Sequence, residues 1–315
     1  MQPKCVGVIV CCLVWSCGAR ATEESARAQA NDSGVLEELI VAASVPRYMA
    51  PTRRDRIGRV WVPVTINGRG PFRLVVDTGA TTSAIVSSVA KRLGLSIDPA
   101  ARVQLQGATG IDTVPYVTAE QLELGDLLFS QAKLLIVPSV FGGADGVLGV
   151  QGLPDMRIHI DFRRDLTEIE YARDQERSPG ERIEFSAALG RQALLDLQVG
   201  GVRTKAVIDT GSQQTIGNAR LRKALLLRWR KTQDADIVGV TMDITQAKSV
   251  RVPLITFGSV PVRNVDISFG ELPIFEHWRL NGEPALLLGM DVIDRLETFE
   301  IDYQERKLHL RARVH

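Results

Sequence analysis

Two Asp-Thr-Gly triplets, Asp77-Thr78-Gly79 and Asp209-Thr210-Gly211, are the residues of this 315-residue chain best suited to chemistry, and each ends an apolar run, Leu74-Val75-Val76 and Ala206-Val207-Ile208. A carboxylate at the end of a buried strand is costly unless it is paired or hydrogen-bonded. Two such strands related by a pseudo-twofold axis put Asp77 against Asp209. Like charges about 3 Å apart do not both ionise easily, so the pair holds one proton and offers a base and an acid at one point. Glycine after the threonine lets the backbone approach the carboxylates and donate N–H bonds. The hydroxyls of Thr78 and Thr210 can bond across the interface between the halves and fix the geometry. One triplet decides nothing, because Asp, Thr and Gly are ordinary turn residues. Two copies in repeat register, each after an apolar strand and before an apolar-apolar-Gly step, are a specific signal.

The elements that must position the triplets are legible around them. Arg59 to Ile66 alternates bulky apolar residues, Asn67-Gly68-Arg69-Gly70-Pro71 supplies turn chemistry, and Phe72 to Val76 resumes, which predicts a hairpin running into Asp77. The pattern then predicts a helix over Ile85 to Leu93, closed by Gly94, and strands at Val103 to Gln106, Thr113 to Thr118, Gln121 to Leu124, Lys133 to Val137 and Arg157 to Phe162. The second half repeats this order: a hairpin of Leu194 to Val199 and Arg203 to Ile208, a helix over Asn218 to Arg228, and short strands. Each half has its apolar-apolar-Gly step, Val147-Leu148-Gly149 and Leu287-Leu288-Gly289, and its closing strand, Arg157 to Phe162 and Thr298 to Tyr303. The expected organisation is a signal peptide at 1–21, a leader or tether at 22–54 with a short helix near Val35 to Ala43, one lobe at 55–170, a charged linker at 171–184 with Ser-Pro-Gly at its centre, and a second lobe at 185–315.

These residues resemble the aspartic peptidases, and in particular bacterial retropepsin-like proteins that carry two lobes on one chain. Val62 to Ala80 is similar to the family's N-terminal strand pair, and Leu287-Leu288-Gly289-Met290-Asp291-Val292-Ile293 resembles its apolar-apolar-Gly step with the short helix behind it. The resemblance spans roughly Arg59 to Leu310. It implies an all-β class, mainly β with short helices, in a two-lobed pepsin/retropepsin-like acid protease fold with the active site between the lobes. It implies that Asp77 and Asp209 activate a water that attacks a peptide carbonyl of an extended polypeptide. Thr78 and Thr210 would interlock, Gly79 and Gly211 would complete the loops, and Gly149 and Gly289 would lie beneath them. The family's glycine-bearing flap is matched by Gly107-Ala108-Thr109-Gly110 after Gln106, with Val238 to Met242 as a weaker counterpart; neither tip carries tyrosine. Gln151 stands where the second half has Asp291, a departure assigned no catalytic role. The implied reaction needs no metal and no organic cofactor, and two copies on one chain imply a monomer. A non-catalytic peptide-binding or scaffold module on the same fold is the other reading.

Composition narrows the remaining classes. With 45% hydrophobic, 24% charged and 5% aromatic residues, the chain is apolar enough for a packed core. All four cysteines (Cys5, Cys11, Cys12 and Cys17) fall in the first seventeen residues, so a thiolate nucleophile, a disulfide scaffold and a cysteine-ligated metal are excluded from the body. Lys4, the apolar run Cys5 to Trp15 and Ala19-Arg20-Ala21 read as an export signal, giving a periplasmic or secreted protein. Val14-Trp15-Ser16-Cys17 also resembles a lipobox, so a membrane partner is expected only if Cys17 is lipidated. Removal of residues 1–21 leaves 36 basic against 37 acidic side chains, a balance with no pull toward nucleic acid. The histidines His159, His277, His309 and His315 lack metal-ligand spacing, Gly142 to Gly146 lacks the Lys-Ser/Thr of a phosphate loop, and the basic run from Arg220 to Lys231 reads as a solvated helix face.

Overall fold

The computed structural model describes residues 8–10, 46–139, 141–150, 153, 155–172, 180–188, 192–226 and 233–313. The expected helix near Val35 to Ala43, Cys17, Gln151, and Ser178 and Pro179 of the linker's centre lie outside the described residues.

Among the described residues three sheets make up the body: one of eight strands, one of nine, and one of six that both halves share. In the first lobe the strand Val60–Ile66 pairs antiparallel with Arg69–Asp77. Its alternating burial puts Val60, Val62, Val64 and Ile66 in the core, the period of a half-buried strand. Gly146–Gly149 then lies parallel to Arg69–Asp77, in a register that sets Gly149 beside Asp77. Its other edge is covered by Ala84–Val86, antiparallel. The second lobe repeats the arrangement: Gln192–Val199 pairs with Val202–Ile208, Ala285–Leu288 lies parallel to Val202–Ile208, and Ile216–Gly217 covers the far side. In each lobe the strand carrying the aspartate is therefore flanked on both sides and buried. Its last residue emerges where two strand ends meet.

The six-stranded sheet joins the lobes. Its centre is the antiparallel pair of closing strands, Met156–Asp161 and Leu296–Asp302, with His159 opposite Glu300. Ile158, Ile160, Phe299 and Ile301 are buried in the main core cluster, while His159 Nδ1 and Glu300 Oε2 lie 3.0 Å apart. The outer strands are Leu166–Tyr171 and Lys307–Ala312, then Arg47–Pro51 and Glu181–Glu184. Arg47–Pro51 falls in the stretch read as a leader, and Glu181–Glu184 in the stretch read as a linker. Both become strands because an open sheet edge satisfies their backbone groups, and Tyr48 buries its ring in doing so. At the edge of the nine-stranded sheet, Val8–Val10 pairs parallel with Ile237 to Gly239.

The expected helix at Ile85 to Leu93 is Ser87–Leu93, ended by Gly94 in the left-handed region at φ 67°. Its expected first two residues, Ile85 and Val86, belong instead to the strand Ala84–Val86, which pairs with Leu135 to Val137. The second helix is Ala219–Leu226. The two strands expected at Thr113 to Thr118 and Gln121 to Leu124 are one, Ile111–Leu124.

Candidate active site

The two aspartate-bearing strands bring their triplets together at the lobe interface. Thr78 N–H donates to Thr210 Oγ1 at 3.1 Å, and Thr210 N–H donates to Thr78 Oγ1 at 3.0 Å. Each hydroxyl in turn donates into the opposite strand, Thr78 Oγ1 to Ile208 O at 3.0 Å and Thr210 Oγ1 to Val76 O at 2.6 Å. Both threonines are fully buried, so every donor and acceptor of this crossed square is satisfied without water. The expected interlock is present in both directions.

Asp77 and Asp209 are 1% and 0% exposed. Each carboxylate is held by the turn that follows it. Asp77 Oδ1 accepts from Gly79 N at 3.0 Å and Ala80 N at 2.9 Å, and Asp209 Oδ1 accepts from Gly211 N at 2.9 Å and Ser212 N at 3.0 Å. Glycine is needed in each triplet for room as well as for donors. A methyl group on Gly79 would lie 2.4 Å from Asp209 Cγ, and one on Gly211 would lie 2.3 Å from Asp77 Cγ. Each carboxyl thus sits against the α-carbon of the other lobe's glycine, which is how two buried acids come to face one another.

Gly149 and Gly289 lie where the resemblance implied. A side chain on Gly149 would strike the backbone of Ala80 and Thr82, and one on Gly289 the backbone of Gln214, at 2.5–2.9 Å. Their amides are held by matching hydroxyls, Gly149 N by Ser83 Oγ at 3.0 Å and Gly289 N by Thr215 Oγ1 at 3.1 Å.

The tip Gly107-Ala108-Thr109-Gly110 joins the strands Arg102–Gln106 and Ile111–Leu124, closed by Gly107 N–H to Gly110 O at 2.8 Å. It meets the tip that follows Gln233–Gly239 in the second lobe. Thr109 Oγ1 and Thr241 Oγ1 are 3.4 Å apart, and methyl groups on Gly110 and Gly239 would collide with Asp243 Oδ2 and Thr109 Oγ1. Ala108 is buried in an apolar cluster with Ile237 and Leu287 of the second lobe. The counterpart flap, the weaker of the two in sequence, is a full partner in this contact.

Three polar residues near the triplets, Arg59, Gln192 and Tyr303, carry no motif and escaped the sequence reading, and a fourth, Asp291, lies in the motif Leu287 to Ile293 but was assigned no catalytic role. Arg59 is fully buried: its Nε and Nη2 bind Asp55 Oδ2 at 2.8 and 2.6 Å, Nη2 also donates to Phe141 O at 2.9 Å, and Nη1 crosses the interface to Gly211 O at 3.2 Å. Gln192, also fully buried, donates from Nε2 to Gly79 O. Tyr303 is buried against Phe185, and loss of water, with the negative charge of Asp77 added, pushes its phenol well above the usual range. Asp291 accepts from Thr215 Oγ1 at 2.7 Å behind the second triplet. Of the three that escaped, Arg59 gave a readable signal, a cation at the head of an otherwise apolar strand.

Two outcomes follow from these contacts. Arg59→Ala leaves the Asp55 carboxylate without its partner in a dry site, and the expected loss is about 3–5 kcal/mol, read from the urea midpoint; adding Asp55→Asn recovers part of it. Burial raises the Asp291 carboxyl from 3.8 to about 6, against the opposing Thr215 hydrogen bonds and Arg295 charge. The folded chain then keeps a proton that the unfolded chain has released. This stabilisation is complete below the unfolded value, falls as pH rises through about 6, and is absent above it. Asp291→Asn keeps the acceptor for Thr215 and removes the dependence. The variant should match wild type near pH 4 and exceed it by roughly 1–3 kcal/mol at pH 7.5 in urea titrations.

Each lobe by itself matches a protease family: residues 62–151 match the aspartyl protease family and residues 195–295 the gag-polyprotein putative aspartyl protease family. The chain belongs to the retropepsin-like aspartic proteases, with the family's unit present twice. Among solved structures it is similar to a retropepsin-like aspartic protease from Rickettsia conorii, at 22% identity over 41% of this chain and 94% of that one, with a TM-score of 0.30. No curated protein matches it.

Proposed function

We propose that the chain is an endopeptidase that hydrolyses peptide bonds of extended polypeptides with a water activated by Asp77 and Asp209. The observation that carries this reading is the mutual packing of each carboxyl on the other lobe's glycine, with both threonines locked beneath. With one proton shared, the ionised carboxylate takes a proton from the water as its oxygen attacks the carbonyl carbon, and the protonated partner donates to the carbonyl oxygen. The tetrahedral intermediate collapses as the acid that took the water's proton passes it to the nitrogen, which leaves as the amine, while a hydroxyl of the intermediate returns its proton to the other carboxylate and restores the singly protonated pair. The N–H groups aimed at each Oδ1 hold both acids in place through the cycle. Substrate enters as an extended strand once the tips at Thr109 and Thr241 part, and their return excludes water.

The sequence before residue 22 supports export to the periplasm or beyond, and the two triplets on one chain support a monomer. Lipidation of Cys17 would add a membrane anchor, and the intact mass of the mature N-terminus tests both. The activity is tested on an unstructured peptide library. Wild type should cleave internal bonds and be blocked by a peptide analogue with a hydroxyl in place of the scissile carbonyl. Absence of both cleavage and binding of that analogue across pH 3–8 would overturn the reading.

A further inference from the structure

Arg59 and Gln192 occupy equivalent places in the two lobes, each eight residues ahead of its hairpin turn at Asn67 and Gly200. Each crosses the interface to the carbonyl of the other lobe's triplet glycine, Arg59 to Gly211 O and Gln192 to Gly79 O. Those carbonyls share a peptide unit with a donor to the dyad. The unit Gly211–Ser212 offers its oxygen to Arg59 and its N–H to Asp209, and the unit Gly79–Ala80 offers its oxygen to Gln192 and its N–H to Asp77. A donor placed on a carbonyl orients the peptide plane and polarises the N–H at its other end, so the chains side chain, peptide, carboxylate are cooperative.

The two chains are unequal. A guanidinium polarises its peptide more than a neutral amide does, and its counterion Asp55 binds Nε and Nη2, on the side away from the Nη1 that reaches Gly211. A stronger donor to a carboxylate favours its charged form. Gln192 also carries a cost that packing does not explain: its Oε1 is buried with no hydrogen-bond partner among the described residues. An apolar side chain of the same volume would avoid that cost.

We propose that Arg59 and Gln192 are positioning residues that act on the dyad through the two glycine peptide units, and that their difference in charge leaves the shared proton on Asp77 and the negative charge on Asp209. This rests on the reading of the two aspartates as the catalytic pair. The other ionisable groups nearby are Tyr303, whose phenol feels Asp77, and Asp291 behind the second loop. Asp291 is neutral below about 6, so the asymmetry is best read at pH 5.

The first test is carboxyl 13C NMR of aspartate-labelled protein at pH 5, assigned with Asp77→Asn and Asp209→Asn, which needs no turnover. In wild type the Asp77 carboxyl should show the protonated shift and Asp209 the ionised one. In the double variant Arg59→Gln, Asp55→Asn, which gives both lobes a neutral amide, the two shifts should converge. A protonated Asp209 in wild type, or an undiminished difference in the double variant, overturns the proposal. The second test uses Gln192→Met, which matches the volume without the hydrogen bond. It should fold at least as stably as wild type, lower kcat roughly tenfold with KM within twofold, and move the pH limb of kcat. Gln192→Glu should recover activity only at acid pH, where its carboxyl can donate to Gly79 O. An unchanged kcat and pH profile in folded Gln192→Met overturns the role of Gln192. A wild type that cleaves nothing counts against the proposed activity, while the NMR comparison still decides the positioning.

Discussion

Asp77→Asn and Asp209→Asn should each lower kcat for an unstructured peptide by about a thousandfold or more while leaving the fold intact. The substitution keeps the size of the side chain and the Oδ1 that accepts from the following turn, so the N–H groups of Gly79 and Ala80, or Gly211 and Ser212, keep their partner. What it removes is the capacity to exchange a proton with water or substrate. Because each lobe supplies one acid, the two variants should be equally crippled, and the double variant should be little worse than either. Thermal melts should show no loss of stability, since one of two buried acids has been neutralised. Residual cleavage within tenfold of wild type in either variant would mean that the water is activated elsewhere.

Gly211→Ala and Gly79→Ala should be nearly as damaging, for a steric reason. The added methyl would lie 2.3 Å from Asp77 Cγ in one case and 2.4 Å from Asp209 Cγ in the other, and both carboxyls are pinned by two N–H groups. Either the carboxyl leaves its donors or the lobes move apart. Overpacking of this kind costs about 1–3 kcal/mol of stability, and a displacement near 1 Å at the reacting group costs about a hundredfold in kcat. Gly282→Ala is the control, with nothing within 4 Å of the added methyl, and it should leave both quantities unchanged. Full activity in Gly211→Ala would show that the Asp77 carboxyl is not packed on the Gly211 α-carbon as described.

Much of this site was legible in the chain itself because it is built from a repeat. Each triplet ends an apolar strand, and each has a glycine step some seventy to eighty residues later, Gly149 and Gly289, whose lack of a side chain is required by backbone contacts under 3 Å. The hairpins, both helices and the closing strands fall close to the positions that periodicity predicts, because a half-buried strand and an amphipathic helix write their burial into residue order. The misplacements have local causes. Ile85 and Val86 read as the start of the helix but belong to the strand Ala84–Val86, since Leu135 to Val137 offers it backbone partners that a local pattern does not record. Arg47–Pro51 and Glu181–Glu184 read as polar connectors for the same reason.

By sequence alone, the chain determines two like lobes, two opposed Asp-Thr-Gly turns and the kind of chemistry they could perform, because those properties depend on residue type and on order along a strand. Tertiary structure decides everything that depends on residues far apart in the chain. The closing strands pair with each other to form the shared sheet, the flap tips meet at Thr109 and Thr241, and Arg59 and Gln192 reach the glycines of opposite lobes. A buried arginine and a buried glutamine have no periodicity and no motif. Their partners are backbone carbonyls, which every residue carries, so only the folded chain shows which ones they hold.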